Sequence, residues 1–176
     1  MNYMKIVKED IANGVGVRCV LWVSGCNMHC RGCHNPESWD YSAGQEFTED
    51  SMQELLTALA PDHIRGLTLT GGHPLDPLNS DCVYNIIKTV REKLPEKDIW
   101  LYTGYKLSDC DFDADTYDHE TQYPINAAIK LCSVVVDGRF MEDKRDTTLR
   151  FRGSSNQRLI DVPKSVLSGK ITLWRD

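Results

Sequence analysis

Short apolar runs of strand character alternate along this chain with stretches whose apolar residues recur at helical spacing. That alternation limits the fold more than any other feature. Residues 18–24 (Arg-Cys-Val-Leu-Trp-Val-Ser) read as a buried strand. Thr48 stands where a cap would open a helix over about 49–60: Glu49 and Asp50 suit its N-terminus, Leu55, Leu56 and Leu59 form its apolar stripe, and Pro61 ends it. Residues 66–70 read as a strand, and Asn79 or Ser80 opens a helix through Leu94 with Val83, Ile86, Ile87 and Val90 on one face. Strands are expected again at 98–103 and at 132–136, the latter ending on Asp137-Gly138, with a short helix at 124–131 between them. This order predicts parallel strands joined by right-handed crossovers. Roughly four such strands are too few to close an eight-stranded barrel, so the expected fold is α/β, an open, partial parallel β/α barrel. The alternation in 157–174 predicts a small terminal hairpin.

The loops after these strands, 25–35, 71–77, 104–106 and 137–139, are polar or glycine-rich. Folds of this kind bind ligands at that edge of the sheet. The first loop carries Cys26, Cys30 and Cys33 in a C-x3-C-x2-C run with no matching fourth cysteine nearby. A structural zinc site takes four protein ligands, and an ordinary [4Fe–4S] cluster takes four thiolates. Three thiolates would hold a cluster with one iron left open to a substrate or cofactor. His29 or His34 would instead complete a zinc site, and spacing alone leaves both metals open. The second loop begins Gly71-Gly72-His73-Pro74. Two glycines let a backbone approach a ligand closely, although a simple turn before a helix would look the same.

Composition narrows the class. The 176 residues fit one domain, 1–176, since domains commonly hold roughly 100–150 residues. Twenty basic against 26 acidic residues give a net charge of −6, which argues against direct nucleic-acid binding. Apolar runs such as Val134-Val135-Val136 are far too short to span a membrane. Met1-Asn2-Tyr3-Met4-Lys5 lacks the apolar stretch of an export signal, so a cytoplasmic location is expected. In that reducing compartment, seven cysteines with three of them clustered point to a metal or to catalysis. Cys19, Cys82, Cys110 and Cys132 are expected to stand apart from the ligand set. Within the domain, 107–129 reads as an acidic surface insertion free of Lys and Arg, and 157–176 as a C-terminal extension.

The cysteine triad resembles the cluster loop of the radical S-adenosylmethionine superfamily, and Gly71-Gly72 resembles that superfamily's strand-end segment. Residues 7–18, Leu21-Trp22-Val23-Ser24-Gly25-Cys26, 67–72, 98–106, 136–140 and 152–158 together resemble the activating enzymes of anaerobic (class III) ribonucleotide reductases, over roughly residues 1–158, nearly the whole chain. The Gly-Ser-Ser-Asn-Gln segment, 153–157, is specific to that group. The resemblance implies a partial barrel of the radical SAM type. It implies one [4Fe–4S] cluster per chain on Cys26, Cys30 and Cys33, with S-adenosyl-L-methionine as the second cofactor. The implied reaction is reductive cleavage of that cofactor to a 5′-deoxyadenosyl radical, which takes a hydrogen atom from a glycine of the reductase large subunit. Reduced flavodoxin or ferredoxin is the implied electron donor. Gly71 and Gly72, with His73 beside them, would take the methionine amino group, while His34, Thr103, Asp137 and Arg139 would face the rest of the cofactor. Three positions depart from the family pattern. His73 replaces an Asp or Glu, which predicts looser cofactor binding because an imidazole is a weaker partner for an ammonium group. His34 takes the place of an aromatic, and Arg139 that of a Lys. Activation of another glycyl-radical enzyme, a small-molecule substrate, and a zinc or iron–sulfur adaptor without catalysis are the rival readings.

Overall fold

The computed structural model describes residues 1–112 and 123–175. In chain order the elements are β1 (Asn2–Asp10), β2 (Val17–Val23), β3 (Gln45–Glu46), α1 (Glu49–Leu59), β4 (Ile64–Gly71), α2 (Ser80–Lys93), β5 (Asp98–Tyr102), α3 (Tyr123–Lys130), β6 (Val134–Asp137), β7 (Arg158–Asp161) and α4 (Val162–Ser168). The strands form one sheet in the order β3-β1-β2-β4-β5-β6-β7. Its four middle strands are parallel, as the alternation predicts. Antiparallel strands flank them: β1 and β3 on one side, β7 on the other. The result is an α/β fold with a largely parallel, open sheet, as a partial barrel requires.

Helices cover one face of the sheet. Leu55 and Leu59 of α1, Val83, Ile86, Ile87 and Val90 of α2, and Ala128 and Ile129 of α3 pack on Leu21, Leu67, Leu69, Ile99, Leu101 and Val135. Thr48 caps α1 as expected, accepting from the Ser51 amide while the Ser51 hydroxyl accepts from the Thr48 amide. The strand residues between those leucines face the other way, where Trp100, Val134, Val136 and Leu159 meet Phe151 and Trp174. Trp100 and Trp174 touch edge to face at 5.2 Å, so both are packing groups.

Arg18 is fully buried on this second face. Its guanidinium donates to Thr68 Oγ1 and to the Val15 and Leu67 carbonyls, and lies 2.6 Å from Asp98 Oδ1. Burial pulls its pKa down against the opposing pull of Asp98. A lone buried charge costs several kcal/mol, so this pair locks β2, β4 and β5 in register at the end of the sheet opposite the loops that follow β2 and β4.

The terminal segment corrects one expectation. Residues 157–174 form a strand and a helix, β7 and α4, and not a simple hairpin. Asp161 accepts from the Lys164 amide, Pro163 sits in the first turn, and Gly169 ends the helix in the left-handed conformation. Those start and stop signals override the alternation. The chain does then turn back along β7, with the Asp161 amide bonded to Thr172 O and the Trp174 amide to Leu159 O. Of the acidic stretch, residues 113–122 lie outside the described residues.

Candidate metal and cofactor site

β2 and β4 end side by side, with Val23 paired to Gly71, so the two unusual loops leave the sheet as neighbours. The cysteine loop folds back on its own continuation: the Gly25 amide donates to Ser38 O and the Cys26 amide to Trp39 O. His29, at φ +43°, stacks on Trp39 at 4.6 Å. The loop also rests on the glycine segment, for the Gly72 amide donates to Val23 O and the His73 amide to Gly25 O. This contact explains both glycines. Gly71 has φ +105°, and a Cβ on Gly72 would lie 2.5 Å from Gly25 O.

Cys26, Cys30 and Cys33 line one hollow together with Gly71, Gly72, His73, His34, Thr103 and Gly138. Cys26 is buried, while Cys30 and Cys33 are partly exposed. Burial pushes the Cys26 thiol up, against the lowering pull of the Met28 and His29 amides. Among the described residues, no three His, Cys, Asp or Glu side chains gather closely enough to hold a single metal ion. A four-iron cube takes each thiolate at a separate corner, so its ligands line a hollow without converging on a point. Three thiolates around one hollow therefore fit a cluster with one iron left for another ligand. The other cysteines stand apart. Cys19 and Cys132 are buried, with thiols pushed up to about 12 by desolvation, and neither they nor Cys82 and Cys110 line the hollow.

Residues 12–160 match the family described as a 4Fe-4S single cluster domain. The anaerobic ribonucleoside-triphosphate reductase-activating protein of Haemophilus influenzae is 39% identical over 159 residues, which cover 89% of this chain and 96% of that protein. The protein of the same description from Enterobacteria phage T4 is 42% identical over 159 residues, 90% and 93% of the two chains. That of Escherichia coli K12 is 39% identical over 163 residues, 89% and 96% of the two chains. This chain belongs to the family of anaerobic ribonucleoside-triphosphate reductase-activating proteins.

The remaining expected site residues divide. His73 is 2% exposed. Its Nε2 lies 2.8 Å from Thr103 Oγ1, its ring meets Tyr105 edge to face, and its Nδ1 is buried without a hydrogen-bond partner. Desolvation lowers its pKa to about 4, against the raising pull of Asp76, so the imidazole is neutral at neutral pH. Arg139 is exposed and sits over the cysteine loop, with Nε 3.3 Å from Cys30 Sγ and a terminal nitrogen donating to Met28 O. Asp137 does not line the hollow. Its carboxylate is fully buried, accepting from the Leu107 amide at 2.9 Å and from the Arg158 guanidinium. It ties β6, β7 and the loop after β5 together.

Some contributors to the site carry no clear sequence signal. Asn79 reads as a helix cap, yet its side chain makes no cap bond. Its Nδ2 instead donates to Ser24 O at 2.9 Å, His73 O at 3.1 Å and Gly25 O at 3.3 Å, clamping the cysteine loop to the glycine segment. Asp76, 1% exposed, accepts from the Tyr41 hydroxyl and the Leu78 amide just behind His73. Phe140 and Gln157 line the far wall of the hollow. Gln157 belongs to the Gly-Ser-Ser-Asn-Gln segment, which is the one sequence signal that points there.

Proposed function

We propose that this chain activates an anaerobic ribonucleoside-triphosphate reductase by installing a radical on a glycine of its large subunit. The observation that carries the reading is the shared hollow: three thiolates from one strand end and a Gly-Gly-His segment from the next, in a chain of this family. When bound there, a [4Fe–4S] cluster with S-adenosyl-L-methionine on its open iron supplies a one-electron cleavage that ends in removal of a hydrogen atom from that glycine.

Cys26, Cys30 and Cys33 act as the three thiolate ligands. The Arg139 guanidinium, beside Cys30 Sγ, offsets part of the thiolate charge. Gly71 and Gly72 offer backbone to the methionine amino group. His73 adds an acceptor in the tautomer that donates from Nε2 to Thr103, which leaves the Nδ1 lone pair, without a hydrogen-bond partner in the structure, available to an ammonium. The Tyr105 amide donates to the same Thr103 oxygen and fixes that hydroxyl. His34 and Phe140, on the hollow's wall, shield it from water and offer ring faces to an adenine. Asp137 acts at one remove, through the loops it ties. The electron comes from a reduced flavodoxin or ferredoxin, a one-electron donor of the kind this chemistry consumes.

The test is anaerobic reconstitution with iron and sulfide, followed by S-adenosyl-L-methionine and dithionite. 5′-Deoxyadenosine is expected from the wild-type protein and not from Cys30→Ala. An intact cluster that yields no product overturns the reading in favour of an adaptor, and binding of zinc in preference to iron does so as well.

A further inference from the structure

Of the two acids buried among the described residues, Asp137 is paired with Arg158, whereas Asp76 forms an ion pair with no Lys, Arg or His. Asp76 is 1% exposed and follows His73 in a turn closed by its own amide, which donates to His73 O at 3.0 Å. Its Oδ2 accepts from the Tyr41 hydroxyl at 2.8 Å and its Oδ1 from the Leu78 amide at 3.1 Å. Both donors are neutral. A side-chain amide would satisfy the same two groups, its oxygen accepting from Leu78 and its nitrogen donating to the Tyr41 oxygen. These contacts account for a polar side chain at this position but not for a charged one. A buried charge without a counter-charge is costly, so its partner is to be sought beyond the chain itself.

The hollow of the cysteines is where such a partner fits. His73 lines it, and Asp76 lies behind His73 without reaching it. The two are electrostatically coupled: desolvation lowers the His73 pKa, and Asp76 pulls it up. That upward pull is the carboxylate's preference for a cation at the ring, and desolvation is what denies the ring its proton. A ring kept neutral leaves the preference unmet. A cation brought into the hollow beside His73 meets it without protonating the imidazole, and the orphaned Nδ1 gives that cation an acceptor. Arg139, the basic group near the hollow, is engaged elsewhere, over the cysteine loop beside Cys30.

We propose that Asp76 is a positioning residue for S-adenosyl-L-methionine: its charge, acting across the His73 ring, holds the cofactor's ammonium group at the Gly71-Gly72 end of the hollow. The role rests on the activase reading above. Asp76 touches no cofactor atom and instead sets the sign of the field in which the ammonium sits. The carboxylate absent from position 73 is thus carried a little further along the same turn, at position 76. Part of the affinity that an imidazole at 73 gives up is made good from behind it.

The experiment uses the cluster-loaded protein, kept anaerobic and unreduced so that no cofactor is cleaved. Equilibrium binding is measured for S-adenosyl-L-methionine and for S-adenosyl-L-homocysteine, which keeps the ammonium but lacks the sulfonium charge. Asp76→Asn is expected to weaken both about tenfold. It is also expected to leave the thermal midpoint of the cofactor-free protein unchanged or raised, because the lost charge had no partner there. His73→Asp combined with Asp76→Asn returns a carboxylate to the turn and should recover most of the affinity. Unchanged binding in Asp76→Asn overturns the role. Weaker binding with a lowered midpoint also does so, since it marks a structural strut. A loss confined to S-adenosyl-L-methionine overturns it too, by placing the charge opposite the sulfonium, and so does a double variant without recovery. The activase reading fails separately, if the reduced wild-type protein forms no 5′-deoxyadenosine.

Discussion

His73 is a histidine kept neutral by its surroundings, and that has a measurable consequence. Its folded pKa of about 4 lies below the ordinary 6.5, so between those values the unfolded chain binds the proton and the folded chain resists it. Stability should therefore be intact above about pH 6.5 and fall as pH drops toward 4. Each unit of difference is worth about 1.4 kcal/mol, so about 2 kcal/mol should be lost between about pH 7 and pH 5 through this residue. His73→Gln should remove that part of the loss, as read from urea midpoints of both proteins at the two pH values. Equal losses in the two proteins would show that the imidazole is not held neutral. The sequence makes the position conspicuous, because it directly follows two glycines at a strand end. It does not reveal the burial or the Thr103 contact, since Thr103 is 30 residues away. Asp137 shows the same limit from the other side. Its place at a strand end is legible, but its partner Arg158 lies 21 residues on, and only the antiparallel pairing of β6 with β7 brings them together.

At the scale of elements, the four parallel strands and three crossover helices are legible because each repeats one pattern several times over. β1 gives no such signal, since charged residues interrupt it at Lys5, Lys8 and Glu9 and it lies antiparallel beside a parallel set. α4 is hidden because seven residues are too few for helical periodicity to outweigh strand-like alternation. Asn79 illustrates a further ambiguity. Its identity suits a cap, but the fold uses it as a clamp between two loops. Removing that amide leaves the carbonyls of Ser24, Gly25 and His73 without this donor inside the protein, at a cost of about 2 kcal/mol. Asn79→Ala should consequently loosen the cysteine loop more than the sheet. We expect reconstituted cluster to be lost several-fold faster to a chelator, monitored as bleaching of its visible absorbance, with far-ultraviolet circular dichroism unchanged. Loss at the wild-type rate would show that the clamp does not govern the loop.

For the whole molecule, the core and the site are built from different parts of the same sheet. The helix-side core runs through Leu21, Leu67, Leu69, Leu101 and Val135, and the Arg18–Asp98 pair secures the end of the sheet away from the hollow. The cysteines hang on loops beyond the ends of those strands. Local stability should mirror that division, with loops opening at far lower free energy than the core strands. Thiol alkylation can read it. In protein stripped of its cluster, Cys30 and Cys33, which are partly exposed, should be modified rapidly. Cys26 is buried but lies in the same loop and should react at an intermediate rate. Cys19 and Cys132 sit in the core with thiols pushed up to about 12, and thiolate is the reactive form, so they should be modified only on global unfolding. Restoring the cluster should then protect Cys26, Cys30 and Cys33 alone and leave Cys19 and Cys132 as slow as before. If stripping the cluster exposed Cys19 and Cys132 as well, the cluster would be holding the whole sheet together, and the separation of core from site argued from these contacts would be wrong.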